Sequence, residues 1–111
     1  MSTISDTRTI DAMAEEKGYI ILFIFDHLDL ENEGEHLTIL QDKINVYIEY
    51  MQSKQYKKIM KYKFKKISGF IIDIKFKYDI TPNCKKFIDI ARNAVYPIGG
   101  DVRYDITLEK D

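Results

Sequence analysis

The stretch that decides the fold runs from Gly18 to Met51 and reads GYIILFIFDHLDLENEGEHLTILQDKINVYIEYM. Its first part, Tyr19 to Phe25, is apolar throughout and rich in β-branched and aromatic residues, which is typical of a strand with neighbours on both sides. An acidic turn follows, and apolar residues then recur at helical intervals. The stretch therefore predicts a central strand, a turn and a packing helix.

The predicted helix has an N-terminal capping signal, an apolar face and a polar face. Asn32 and Glu35 stand three positions apart, as in a capping box, and acids in this turn favour the positive end of the helix dipole. The apolar face consists of Leu37, Leu40, Ile44, Tyr47, Ile48 and Met51. The remaining polar positions are expected to face solvent, and these are Gln41, Asp42, Lys43, Asn45 and Glu49.

The flanking segments complete one α+β domain over residues 1–111. Residues 7–14 predict an edge strand, with a turn at residues 15–18, and the alternation in 61–65 and 70–78 predicts a β-hairpin. Thr81-Pro82 begins a second helix, and residues 102–108 alternate as a last strand. The expected order is β-β-α-β-β-α-β, with two helices on one face of a four- or five-stranded mixed or antiparallel sheet.

Composition narrows the class of protein. The 111 residues, 45% of them apolar, are enough for one core. The single cysteine, Cys84, excludes an intrachain disulfide and a structural zinc site, and fits a reducing cytoplasm. The longest apolar run has seven residues, whereas a membrane span needs about 20. We therefore expect a cytoplasmic protein that engages no membrane and carries no cofactor.

Charge is divided unevenly along the chain. Residues 1–53 contain eleven acids and three bases, net −8, and residues 54–111 contain seven acids and fourteen bases, net +7. Such opposed fields favour electrostatic steering of a partner, although the halves would also neutralise each other in the fold. The strand 19–25 adds an apolar strip on whichever face the helices leave open, through Ile20, Leu22 and Ile24 or through Tyr19, Ile21, Phe23 and Phe25. That strip is either a contact surface or is covered by a loop or the N-terminal segment.

Candidate metal and catalytic residues do not form a recognisable site. Asp29, Glu31 and Glu33 match the first ligand positions of an EF-hand loop, but the twelfth position would be Leu40 rather than a bidentate carboxylate. His27 and His36 flank the acidic turn and are better explained as polar turn residues than as acid–base groups or metal ligands. Cys84, on an apolar helix face, is typical of a small buried hydrophobe. No catalytic residue, no metal and no enzyme activity are predicted.

The lysine-rich segment supports a nucleic-acid hypothesis. Lysines that pair with phosphates alternate with rings that stack on bases, at Lys61, Tyr62, Lys63, Phe64 and Lys65. The segment lacks arginine and the net charge is −1, so nucleic acid is the less favoured partner.

The acidic turn and the helix carry the one resemblance to a known family. The segment resembles a family of small, largely uncharacterised bacterial proteins with an Asp-His-Leu strand end, a Glu-His-Leu turn and a Leu-Gln-x-Lys-Ile-Asn-x-Tyr helix. The matching positions are Asp26, His27, Leu28, Glu35, His36, Leu37, Leu40, Gln41, Lys43, Ile44, Asn45 and Tyr47. Phe23, Phe25 and the lysine run depart from that family's usual residues.

By type, the chain is also similar to bacterial immunity proteins that neutralise a cognate toxin, in many cases a nuclease. That resemblance implies a 1:1 heterodimer in which acidic side chains occlude a basic active site and aromatic side chains anchor the complex. The acidic set is Asp26, Asp29, Glu31, Glu33 and Glu35, and the apolar set is Phe23 and Phe25. Nucleic-acid binding by residues 54–66 is the alternative.

Overall fold

The computed structural model of the chain describes residues 10–27, 32–53 and 68–106. Within them the order is β-β-α-β-α-β. The strands are β1 (Ala12–Glu16), β2 (Tyr19–Asp26), β3 (Gly69–Phe76) and β4 (Gly100–Ile106), and the helices are α1 (Glu33–Ser53) and α2 (Pro82–Val95). A short 3-10 turn, Tyr96–Ile98, links α2 to β4.

The hairpin of β1 and β2 closes through a two-residue loop. Glu16 faces Tyr19 in the antiparallel register, and Lys17 and Gly18 between them have φ values of 53° and 87°. Two consecutive positive φ angles define the type I′ turn whose twist matches that of antiparallel strands. The predicted turn is confirmed, but β1 lies later in the chain than the expected strand 7–14.

The sheet has the order β1-β2-β3-β4, with β2, β3 and β4 parallel to one another. Right-handed crossovers that advance in one direction across a parallel sheet place their helices on the same face. Buried residues of both helices accordingly share one core with alternate residues of the strands. The α+β class and the mixed sheet with two helices on one face are confirmed.

The predicted hairpin of 61–65 with 70–78 is wrong. β3 pairs with β2 on one side and with β4 on the other over nearly its whole length, so it has no free edge for a third strand. Residues 61–65 themselves lie outside the described residues. Period-two alternation identified β3 correctly, but it cannot tell an antiparallel neighbour from a parallel one.

The start of each helix follows its sequence signal. Asn32 accepts a hydrogen bond from the Glu35 backbone N–H at 3.2 Å, and its side-chain amide donates to the Glu35 carboxylate at 3.1 Å. Thr81 accepts from the backbone N–H of Cys84 at 3.1 Å, and Pro82 occupies the first turn of α2. Both predicted caps are confirmed.

The outer edge of β4 is closed by side chains at one residue. The Nε and Nη2 atoms of Arg92 donate to the Val102 carbonyl at 3.1 and 2.9 Å, and the Val102 N–H donates to the Asp101 carboxylate at 2.8 Å. Arg92 and Asp101 also form an ion pair at 3.2 Å. Both backbone groups of Val102 are therefore occupied within the chain.

Two glycines allow the start of β3 and β4 to approach closely. A Cβ atom at Gly69 would lie 2.4 Å from the Gly99 carbonyl oxygen, and one at Gly100 would lie 2.4 Å from the Phe70 ring. Neither distance is compatible with a side chain, so the backbone at Gly99 or the ring of Phe70, respectively, must move if one is introduced. Gly34 in α1, by contrast, has open space around the Cβ position.

We predict that Gly69→Ala lowers the free energy of unfolding by about 1–3 kcal/mol, because a rigid carbonyl occupies the space that the methyl group requires. Gly34→Ala is the matched control and is expected to leave stability unchanged or to raise it by up to about 1 kcal/mol, because alanine is the better helix former. Urea denaturation measures both. Equal effects of the two substitutions would contradict the close approach.

Candidate functional site

The face of the sheet opposite the helices carries the apolar strip of β2. Ile20, Leu22 and Ile24 point into the helix-covered core, so the other parity, Tyr19, Ile21, Phe23 and Phe25, lies on the open face. Ile21 is buried, Tyr19 is 40% exposed, and the two phenylalanines are half-buried. The Phe23 and Phe25 rings are stacked, with centroids 6.1 Å apart and planes 5° from parallel. No described helix covers this aromatic pair.

An ion-pair network covers the rest of the open face. Arg103 on β4 donates to the Asp73 carboxylate at 2.8 Å and reaches Glu16 on β1 at 3.4 Å. Lys75 pairs with Asp73 at 3.5 Å and with Asp105 at 3.2 Å. Because β1 and β4 are the outer strands among the described residues, the Arg103–Glu16 pair spans the sheet between them. The charged residues on this face of β3 and β4 thus bind one another.

The acidic set separates in the structure. Asp26 is only 2% exposed and contacts His36 Nε2 through its carboxylate, so its assignment to a docking surface is wrong. Glu33 is half-buried and Glu35 is exposed, both in the first turn of α1. Asp29 and Glu31 lie outside the described residues. Of the acidic set, the described surface thus retains two glutamates.

Asp26, His36 and Cys84 lie at the carboxyl end of the parallel strands, but they are sealed from solvent. His36 packs edge-to-face on Phe76, with centroids 6.5 Å apart, and its Nδ1 atom has no partner among the described residues. Burial, with the nearby Asp26 and Glu33 charges, raises the pKa of Cys84 to about 11. A buried neutral thiol is a poor nucleophile, so the cluster holds α1 against β2 rather than offering a reaction site.

A second buried network joins the residues before β1 to α1 and β2. Lys43 Nζ and the Asp11 carboxylate are 2.6 Å apart, and neither side chain is exposed. The other Asp11 carboxylate oxygen accepts from the Phe25 N–H at 3.1 Å. Tyr47 donates to the Phe23 carbonyl and accepts from the Asp11 N–H, and burial raises the pKa of its phenol. The backbone of the aromatic pair on the open face is thus held by hydrogen bonds to the side chains of Asp11 and Tyr47.

Two of these buried residues, His36 and Lys43, were not predicted to belong to the buried face of α1. The sequence predicts a solvent-facing Lys43 and a polar turn residue at His36, but Lys43 is fully buried and His36 lies in the core. Both continue the apolar stripe, because residues 36, 40, 43 and 47 recur at steps of four, three and four. This helical spacing was the signal in the sequence that both residues are buried. A lysine on a buried helix face in turn indicates an acidic partner elsewhere in the chain.

The remaining candidates add no assembled chemistry. His27 is exposed, and the nucleic-acid set Lys61, Tyr62, Lys63, Phe64 and Lys65 lies outside the described residues, so that hypothesis stays a prediction. Within residues 10–27, 32–53 and 68–106, no group of three His, Cys, Asp or Glu side chains is placed to hold a metal ion. No helix in these ranges has the length and apolarity that crossing a membrane requires.

Fold and site together define a small α+β protein with two helices on one face of a mixed sheet and an aromatic pair on the other. The chain belongs to DUF6572, a family of unknown function whose model matches residues 1–108. No curated protein and no solved structure matches it. Membership of an uncharacterised family is thereby confirmed, and the match names no activity or partner.

We predict that Lys43→Met destabilises the protein by about 3–5 kcal/mol, because it leaves the Asp11 carboxylate buried without its cation. The double variant Asp11→Asn with Lys43→Met is expected to recover a substantial part of this loss. Lys85→Met, at an exposed lysine of α2, is the control and should change stability by less than about 0.5 kcal/mol. Equal losses for Lys43→Met and Lys85→Met in urea denaturation would contradict the buried pair.

Cys84 is expected to react slowly with thiol reagents in the folded protein. A pKa of about 11 in place of 9.0 lowers the thiolate fraction near pH 8 by about a hundredfold, and burial slows access further. The unfolded chain releases the thiol proton at a lower pH than the folded protein does. The free energy of unfolding therefore falls as the pH rises from about 9 to about 11. Labelling by Ellman's reagent measures the reaction rate of the folded protein against that of the denatured chain. Equal rates for the two would contradict a buried, neutral Cys84.

Proposed function

We propose that the chain is an immunity-type protein that binds and neutralises a cognate bacterial toxin domain in a 1:1 complex. The observation that carries the proposal is the stacked pair of Phe23 and Phe25, half-buried on a sheet face that no described helix covers. Stacked aromatic side chains on a rigid strand lose little conformational entropy on binding, which is the property of an interface anchor.

The scaffold supports such a role because it fixes the pair before a partner arrives. The Phe23 carbonyl accepts from Tyr47, and the Phe25 N–H donates to Asp11. Both bonds come from buried side chains, and β2 lies between β1 and β3 in the sheet. A preformed anchor spends little binding free energy on ordering, which favours the tight capture that neutralisation requires.

The acidic part of the proposed surface lies at the same end of the sheet. The contact of Asp26 with His36 brings the first turn of α1 to the carboxyl end of β2, the end at which Phe25 lies on the opposite face of the sheet. Glu35 is exposed in that turn, and Glu33 is half-buried there. Carboxylates at the same end of the sheet as an aromatic anchor suit a basic protein surface that wraps this end, since they speed association and disfavour acidic partners.

A toxin of this kind would be neutralised by occlusion. A nuclease concentrates basic residues around its active site to hold phosphates, and the same residues attract an acidic surface. Glu35 would pair with such residues while Phe25 enters an apolar recess beside them. Asp26 has a positioning role in this proposal, because it holds α1 in place without reaching the surface.

The test is binding of the purified chain to the toxin domain encoded beside it, measured by calorimetry together with inhibition of the toxin. Phe25→Ala is expected to weaken binding by about thirtyfold or more, as loss of an anchor residue does. Glu35→Gln keeps an acceptor for Asn32 and should slow association severalfold, with a smaller effect at high salt.

Tyr96→Ala is the matched control, because Tyr96 is an exposed aromatic residue at the far end of α2. It should leave toxin binding unchanged. The proposal fails if no toxin reading frame adjoins the gene, if the encoded toxin does not bind, or if Phe25→Ala and Tyr96→Ala behave alike. Urea denaturation of each variant separates a lost contact from a lost fold.

A further inference from the structure

A groove lies at the amino end of the parallel strands, away from the aromatic pair. It encloses about 950 Å³ between the start of β2, β3 and β4 and the end of α2. Tyr19 and Phe25 are six residues apart on β2, which separates this groove from Phe25 by roughly 20 Å. Its lining includes Tyr19, Ser68, Arg92, Asn93, Tyr96 and Pro97.

Two tyrosine rings, of Tyr19 and Tyr96, line the groove. Tyr96 is 79% exposed, and its carbonyl accepts from the Gly99 N–H at 3.1 Å in a turn stiffened by Pro97. The Tyr19 ring lies over Gly69, with Cε1 3.1 Å from the position that a Cβ would take. Tyr96 makes little contact with its own fold, so its ring is available to a ligand.

The charge in the groove is already neutralised. Arg92 donates two hydrogen bonds to the Val102 carbonyl, and its guanidinium lies 3.2 Å from Asp101 and 3.7 Å from Asp89. An anionic ligand such as a phosphate or a carboxylate would have to displace these acids. The groove therefore suits an uncharged ligand.

Several polar side chains that line the groove can donate hydrogen bonds. Asn93 and Ser68 are exposed, and their amide and hydroxyl groups can donate to a carbonyl oxygen, as can the two tyrosine hydroxyls. A polyproline II segment has no internal hydrogen bonds, so it presents free carbonyls together with apolar pyrrolidine rings. Such a segment meets both features of the groove, rings for packing and donors for its carbonyls.

We propose that this groove binds an extended proline-rich peptide segment in the polyproline II conformation. Tyr19 and Tyr96 hold the pyrrolidine rings between them, as in the aromatic grooves that bind proline-rich peptides in other folds. Asn93 and Ser68 donate to the peptide carbonyls. The proposal is independent of toxin capture, because neither Phe23 nor Phe25 lines the groove.

The experiment titrates the 111-residue chain into fluorescein-labelled decaproline and follows anisotropy, with a glycine-serine decapeptide as the control ligand. Decaproline is expected to bind saturably, and the control peptide is not. Because no net charge is involved, the affinity should change little between low and high salt. Loss of one ring contact, in Tyr96→Ala or Tyr19→Ala, should weaken binding by about three- to tenfold.

Two exposed apolar residues outside the groove supply matched control variants. Ile90 is 68% exposed on α2, and Tyr78 is 43% exposed beyond the opposite end of β3. Ile90→Ala and Tyr78→Ala should bind decaproline as the parent chain does. Phe25→Ala should do so too, which separates this groove from the proposed toxin surface.

Several results would overturn the proposal. They are absence of saturable binding at millimolar peptide, equal affinity for the glycine-serine peptide, and equal effects of Tyr96→Ala and Ile90→Ala. Sedimentation velocity tests the other occupant, since a dimer of the parent chain that Tyr96→Ala dissociates would assign the groove to a second copy instead. Because Tyr96 is so exposed, its substitution should leave the fold intact, and urea denaturation of the variant verifies this.

Discussion

The parallel arrangement of β2, β3 and β4, which lie side by side in chain order, restricts both helices to one face of the sheet. β2, β3 and β4 are joined by crossovers that advance in the same direction, and the right-handed rule then puts α1 and α2 on one side. The other side must be made stable without a helix from the described chain. Arg103, Asp73 and Lys75 do this on β3 and β4 by pairing with one another. On β2 this uncovered face is apolar, and the stacked rings of Phe23 and Phe25 lie on it.

The buried polar contacts supply what the apolar pattern of β2 does not specify. A strand that is apolar at every position could present either set of side chains to the helices at similar hydrophobic free energy, so burial alone determines its facing weakly. Hydrogen bonds are directional. Tyr47 reaches the Phe23 carbonyl, Asp11 reaches the Phe25 N–H, and Asp26 contacts His36. The contacts of Tyr47 and His36 tie β2 to α1 directly, and Asp11 does so through its ion pair with Lys43. Together they favour one register of β2 against the helix.

The sequence predicted those parts of the fold that depend on local chemistry. Both helix caps, the turn after β1 and the period-two alternation of β3 and β4 follow from residues close in the chain. The parallel pairing of β2 with β3 and the burial of Lys43 do not, because each depends on a partner far away in sequence. Lys43 looks like any solvent-facing lysine until Asp11, 32 residues earlier, is placed beside it. The assignment of Asp26 to the surface failed for the same reason, since His36 is the residue that buries it.

The closure of β4 at Val102 bears on how the molecule behaves in a crowded solution. An edge strand normally presents free N–H and C=O groups to any extended chain that passes. At Val102 these groups are held by the Asp101 carboxylate and the Arg92 guanidinium, which also pair with each other. A foreign strand that joined the sheet here would have to break charge-assisted hydrogen bonds before forming neutral ones of its own, an unfavourable exchange. The two side chains thus oppose the addition of a foreign strand at Val102.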